Sequence, residues 1–251
     1  MASTKTYAHG GEMGKVSVCM AVYNGSRYLQ PQMHSILVQL GPQDEVVVVD
    51  DGSRDDSLTI LRDFQDPRIR ILKNSQNRGV VRTFERALQE ATGEIIFLAD
   101  QDDVWLPERV KRMTAALVRP GCLAVVCDAT VINAEEQVLY PSFFQFRQSG
   151  PGVIRNLIKN TYLGCCMAIT ARAKPYYLPF PDYIPMHDEW LGLVCQVVGE
   201  VVFLPEPLTL YRRHNNNVTL LKSSPPLRVL AKRFTWLRMI IEAFQRKQAR
   251  S

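Results

Sequence analysis

The chain has 251 residues, 46% of them hydrophobic and 22% charged, the proportions of a folded protein with one large α/β domain and an appendage. No apolar run approaches the ~20 residues a membrane span requires, and no secretory signal or transmembrane protein is expected. The net charge of +5 is unevenly placed: residues 222–251 hold eight basic side chains and one acid, so they carry +7 and the remainder carries −2. Basicity confined to a tail, with no matching motif, argues against a nucleic-acid-binding domain.

Residues 1–14 are small and polar and read as a disordered leader. Val16 to Val22 is a continuous apolar run of strand length, followed by Tyr23-Asn24-Gly25 and a helix with Leu29, Met33, Ile36, Leu37 and Leu40 at helical spacing. Glu45 to Val49 is a second buried strand ending at Asp50-Asp51-Gly52-Ser53, and the next helix carries Leu58, Leu61 and Phe64. Ile69 to Leu72 is a third strand. Asn77-Arg78-Gly79 opens a helix through Phe84 and Leu88, and Glu94 to Ala99 is a fourth strand. Solid apolar strands alternating with helices predict a parallel sheet covered on both faces. Beyond Pro107 the rhythm loosens. Leu123 to Ile132 reads as a strand pair or one bent strand, His187-Asp188-Glu189-Trp190 starts a helix, and two short strands flank Pro205-Glu206-Pro207. The six cysteines form no CxxC pair and no matched His spacing, so neither zinc nor a disulfide framework is expected, and a reducing cytoplasm fits.

Asp100-Gln101-Asp102-Asp103 closes the fourth strand. Three carboxylates within four residues repel one another unless a cation offsets them, and hard oxygen ligands at a strand end suit a divalent ion on a diphosphate. An acidic strand-to-helix turn, with Asp103 as helix cap, is the plainer alternative. Asp50 and Asp51 could accept from a ribose or a base N–H, or simply form a polar turn capping the next helix. Tyr23 could stack on a base or fill a core edge, and Arg78 and Arg82 could fork onto a diphosphate or lie on a solvated face. Asp188 could serve as general base or could complement a helix dipole. His214, within Tyr211-Arg212-Arg213-His214-Asn215-Asn216-Asn217, could add a metal ligand or belong to a polar turn.

The order and spacing of Ala21-Val22-Tyr23-Asn24-Gly25, Val49-Asp50-Asp51-Gly52-Ser53, Asn77-Arg78-Gly79 and Ala99-Asp100-Gln101-Asp102-Asp103-Val104-Trp105 resemble the family 2 glycosyltransferases with the GT-A fold. Gly164-Cys165-Cys166-Met167-Ala168, His187 to Leu191 and Tyr211 to Asn217 resemble the bacterial rhamnosyltransferase-like subgroup, so the likeness runs from about Lys15 to Thr219. It implies a Rossmann-like, mainly parallel central sheet flanked by helices, with a nucleotide-binding half at 15–106 and an acceptor-binding half at 107–221; beyond the likeness, residues 222–251 read by their apolar spacing as a basic amphipathic helical tail.

The resemblance also implies roles. Tyr23 and Asp51, or Asp50, would hold the base and ribose of a nucleoside diphosphate sugar, and Asp100 the ribose or nearby sugar. Asp102 would ligate Mn²⁺ or Mg²⁺, Asp103 would face sugar or acceptor, and Asp188 would be the base. His214 would close over the diphosphate as a further metal ligand. Glu189 stands where relatives often carry an aromatic, and Arg213 and Asn215 flank His214 where Gln and Gly are common.

The expected reaction is inverting, metal-dependent transfer of a sugar, rhamnose as first choice, from a dTDP- or UDP-linked donor to a glycan or lipid-linked saccharide acceptor for a cell-surface glycan. The alternatives are a sugar-1-phosphate nucleotidyltransferase and a non-catalytic sugar-nucleotide or glycan-binding relative. The former usually places a Gly-rich, basic phosphate loop after the first strand, where this chain has Tyr23-Asn24-Gly25-Ser26-Arg27. Leu227, Leu230, Phe234, Leu237, Ile241 and Phe244 lay an apolar stripe along one helix, widened by Trp236 and Met239 and flanked by Arg228, Lys232, Arg233, Arg238 and Arg246. That composition suits an anionic membrane surface at the cytoplasmic face; packing on the domain and pairing into a homodimer are the competing uses.

Overall fold

The computed structural model describes residues 14–158, 160–214 and 226–250. Its first half alternates strand and helix as the apolar runs predict: β1 (Val16–Val22), α1 (Ser26–Leu37), β2 (Glu45–Asp50), α2 (Ser57–Asp63), β3 (Ile69–Lys73), α3 (Gly79–Glu90) and β4 (Ile95–Ala99). These four strands lie parallel in the order β3-β2-β1-β4. Val46 to Val49 are wholly buried, as strands covered on both faces must be. Because the chain steps outward from β1 to β2 and β3 and then crosses back to place β4 on the other side of β1, a crevice opens at the carboxyl ends of the strands. The polar turns 23–25, 50–53 and 100–103 all lie at that end.

The second half comprises β5 (Val104–Trp105), α4 (Arg109–Leu117), β6 (Cys122–Ile132), β7 (Val138–Tyr140), α5 (Phe143–Arg147), α6 (Val153–Ile158), β8 (Met167–Thr170), α7 (Lys174–Tyr177), α8 (His187–Val198), β9 (Glu200–Arg212) and α9 (Pro226–Gln248). Among the described residues the sheet has nine strands, ordered β3-β2-β1-β4-β8-β6-β9-β5, with β7 beside β6. Here β8 runs antiparallel to both β4 and β6, whereas β9 is parallel to β6 and antiparallel to β5. The expectation of a mainly parallel sheet therefore holds up to β4, and the whole sheet is mixed.

One local alternative is resolved and one reading changes. Residues 122–132 form one long strand, and the segments around Pro205-Glu206-Pro207 are one strand as well. Proline lacks the N–H that a regular ladder requires, and the pairing of β9 with β6 slips there, from Cys127 opposite Leu204 to Asp128 opposite Pro207. The strand thus passes its prolines through an irregularity rather than ending at them.

The last helix, α9, packs against α8, α7 and α6. Its inner face is Trp236, Met239 and Ala243, all buried, and the Trp236 indole N–H donates to Glu189 Oε2 at 2.8 Å. Arg246 and Lys247 donate to the carbonyls of Tyr176 and Val197. Trp236 and Met239 therefore do not widen the stripe of Phe234, Leu237, Ile241 and Phe244: they form the opposite face, while those four remain exposed. The leader apart from Gly14, Asn215 to Thr219, Lys222, and the side chains of Leu227, Arg228, Leu230 and Lys232 lie outside the described residues.

Candidate active site

The crevice is assembled by cross-links between strand-end loops. The Gln101 amide accepts from Tyr23 N at 2.9 Å and donates to Tyr23 O at 3.1 Å, tying the loop after β1 to the loop after β4. Tyr23 is left 46% exposed at the mouth, where a flat ligand could lie against its ring. Asp50 is fully buried and accepts from the amides of Gly52 and Ser53, with Gly52 at φ 85°, so it builds the turn. Asp51 accepts from Asn74 Nδ2 at 2.7 Å, Arg78 N at 2.8 Å and Gly79 N at 2.9 Å, which places its charge at the N-terminus of α3. A capping role was foreseen for this pair, but for the following helix; Asp51 reaches past α2 to α3.

Arg78 projects from the start of α3 and is exposed. Arg82, by contrast, donates to Glu85 at 2.6 Å, to the Phe180 carbonyl at 3.1 Å and to Asp182. Its guanidinium ties the 180–182 loop to α3 rather than standing as a solvated surface charge.

The aspartate cluster is packed more tightly than its sequence conveys. Asp103 is 1% exposed; its Oδ1 accepts from Arg212 N at 2.9 Å, and its Oδ2 has no hydrogen-bond partner among the described residues. Burial, and then the neighbouring Asp102 charge, push its carboxyl up to about 7, partly offset by the Arg212 N–H, the Cys165 thiol and the Arg109 guanidinium. Asp100 is held well above the carboxylate range by desolvation and then by Asp103, Asp102 and Asp188. Its carboxylate, that of Asp103 and the Cys165 sulfur have ligating atoms all within 4.8 Å of one another. Asp102 Oδ2 meets His214 Nε2 at 2.7 Å, which joins the end of β4 to the residue after β9.

Two buried arginines pack around the cluster: the Arg109 charge lowers the Asp103 carboxyl, and Arg212 reaches it through its backbone N–H. Arg212 donates from Nε to the Asp102 carbonyl at 2.8 Å and from a terminal nitrogen to Glu136 at 2.9 Å, and its guanidinium lies over the Tyr28 ring. That ring also stacks on His214, with centroids 5.1 Å apart. Arg109, wholly buried, donates to the Cys165 carbonyl and to Thr209 and stacks on Trp105. No local pattern marks these contacts: Arg109 and Thr209 lie a hundred residues apart. Tyr28, one turn beyond the Tyr23 loop, was likewise missed.

Asp188 faces the cluster from the first turn of α8. Its Oδ2 accepts from Gly164 N at 3.1 Å and its Oδ1 from Glu189 N at 2.8 Å. Desolvation, then the Glu189 charge, raise its carboxyl to about 7, against the pull of those amides. Gly164 is required for this approach: a Cβ there would meet His187 Nε2 at 2.9 Å and Asp188 Cβ at 3.2 Å. His187 stacks on Phe84, centroids 3.9 Å apart, and burial pushes its imidazole down to about 3, so it stays neutral. The structure thus brings Asp100, Asp102, Asp103, Asp188 and His214 into one charged group, with Tyr23, Asp50, Asp51 and Arg78 on adjoining strand ends.

Hard oxygen donors beside an imidazole fit a divalent cation. The orphaned Asp103 Oδ2 and the mutual repulsion of the cluster are what positive charge at this place would relieve.

Residues 17–174 match the model of Glycosyl transferase family 2. Similar sequences include the putative teichuronic acid biosynthesis glycosyltransferase TuaG of Bacillus subtilis, 26% identical over 81% of each chain. Another is the UDP-Glc:alpha-D-GlcNAc-diphosphoundecaprenol beta-1,3-glucosyltransferase WfgD of Escherichia coli, 26% identical over 71% of this chain and 69% of that one. Similar folds include S. aureus TarS 1-349 in complex with UDP-GlcNAc, with TM-score 0.69, 17% identity and coverage of 92% of this chain and 72% of that one. Mannosyltransferase PcManGT from Pyrobaculum calidifontis in complex with GDP-Man and Mn²⁺ has TM-score 0.63 and 16% identity, covering 94% of this chain and 74% of that one.

Proposed function

The chain belongs to glycosyl transferase family 2, and from that premise we propose that it transfers a sugar with inversion from a nucleoside diphosphate sugar to a hydroxyl of a lipid-linked, cell-surface glycan precursor. The observation that carries this reading is the single carboxylate Asp188, raised to about 7, set across from the aspartate cluster at the end of β4. A base near neutrality can take a hydroxyl proton at working pH and still be ionised in an adequate fraction.

In the proposed step, the acceptor hydroxyl loses its proton to Asp188 as its oxygen attacks the anomeric carbon, and the bond from that carbon to the diphosphate oxygen breaks. The Gly164 and Glu189 amides fix the orientation of the carboxylate. One base and no carboxylate assigned as nucleophile make this a direct displacement. Tyr23 and Asp51 would stand on the base and ribose side, over the turn that buried Asp50 builds, with Asp100 and Asp103 toward the sugar and exposed Arg78 as a cation for the diphosphate. Asp102 and His214 would hold Mn²⁺ or Mg²⁺, whose charge when bound would stabilise the departing diphosphate.

WfgD is named for UDP-Glc and a diphosphoundecaprenol acceptor, and the TarS complex contains UDP-GlcNAc. These favour a uridine-linked hexose over dTDP-rhamnose as donor. The test is a panel of UDP-, dTDP- and GDP-sugars scored by released nucleoside diphosphate, with Mn²⁺, Mg²⁺ or excess chelator. Turnover of a uridine-linked hexose, lost in chelator and in Asp102→Ala, is expected. Full activity in chelator would remove the metal role, and turnover confined to dTDP-rhamnose would restore the first choice of donor.

A further inference from the structure

Among the described residues α9 has two apolar faces, and only one is used by the fold. Trp236, Met239 and Ala243 face the body; Phe234 is 67% exposed, Leu237 49%, Ile241 51% and Phe244 48%. Those four recur at intervals of three and four, so they form one continuous outer stripe. Arg233 and Arg238 border it, both exposed, and the surrounding sequence from Lys222 onward carries net +7. No helix of the described residues is long and apolar enough to cross a membrane, so a helix of this kind would lie along a surface.

We propose that the outer face of α9 docks on an anionic lipid bilayer, with Phe234, Leu237, Ile241 and Phe244 in the headgroup–acyl boundary and Arg233 and Arg238 toward the headgroups. Charge selects this occupant. Pairing the same stripe with a second copy would oppose two tails of +7, whereas anionic headgroups neutralise them. The inner face is fixed to α8 through the Trp236 to Glu189 hydrogen bond, so docking would set the helix that carries Asp188 at the membrane surface. This rests on the reading of a lipid-linked acceptor only for its purpose; the binding itself does not depend on catalysis.

The test is co-sedimentation of the full chain with phosphatidylcholine vesicles with and without 30 mol% phosphatidylglycerol, at low and high salt, beside size-exclusion chromatography. Leu237→Glu/Ile241→Glu alters exposed positions only, and circular dichroism and melting check its fold. Wild type should bind anionic vesicles at least about tenfold better than neutral ones, weaken with salt, and lose about tenfold or more in the double variant. No binding to anionic vesicles, equal binding by the folded double variant, or equal binding to neutral and anionic vesicles would overturn the proposal. So would a dimer at assay concentration that the double variant dissolves, which would identify a second copy as the occupant. Vesicle binding without sugar transfer, or transfer without vesicle binding, separates this proposal from the catalytic one.

Discussion

Asp188 and Glu189 are adjacent acids whose charges work on each other. Glu189 is held by the Trp236 indole, and its charge is the second cause, after desolvation, of the raised Asp188 carboxyl. A base must be deprotonated to act, so kcat/KM should fall as pH drops through about 7, the folded value for Asp188. Glu189→Gln keeps an acceptor oxygen for Trp236 while removing the like charge, so the Asp188 carboxyl should ionise more readily. The acid limb of the kcat/KM profile should then move to lower pH by roughly half to one unit. An unmoved limb, or one displaced upward, would show that the titrating group is elsewhere. The departure noted in the sequence, an acid where relatives often carry an aromatic, thus acquires a physical role: Glu189 anchors an aromatic from another helix.

At the scale of elements, the first α/β half was legible because each strand is a solid apolar run and each turn is polar. Asp51 shows where reading stopped. Its carboxylate invited a cap on the next helix, but backbone geometry carries it to α3, and nothing local distinguishes the two. Arg109, Arg212 and Tyr28 were invisible for a related reason: their partners are remote in sequence and meet only once β9 lies between β6 and β5. For α9 the helical period was readable, but two apolar faces in one helix do not declare which is inside. Denaturant unfolding should resolve them. Met239→Ala, at a fully buried position, should cost about 2–5 kcal/mol. Leu237→Ala, half-exposed, should stay within about 0.5 kcal/mol. Equal costs would mean that α9 does not pack by the face described.

Across the whole molecule, one sheet gathers the candidate site from both of its halves. The parallel half ends in turns whose amides and carboxylates suit a nucleotide, while the mixed half brings α8 and the end of β9 back over the same crevice. Acids from the loop after β4 and from α8 thereby meet His214 from the segment after β9, and Arg109 and the Arg212 backbone N–H offset part of the Asp103 charge. In the proposed reaction Asp188 is the base of a direct displacement at the anomeric carbon. The measurement that addresses it most directly is proton NMR of the anomeric centre during turnover, comparing wild type with Asp188→Asn. The account predicts a new linkage of opposite anomeric configuration to the donor, formed by the variant roughly 10²–10⁴ times more slowly while nucleoside diphosphate affinity persists. A product that retains the donor's configuration, or an Asp188→Asn enzyme with near-normal kcat, would contradict it.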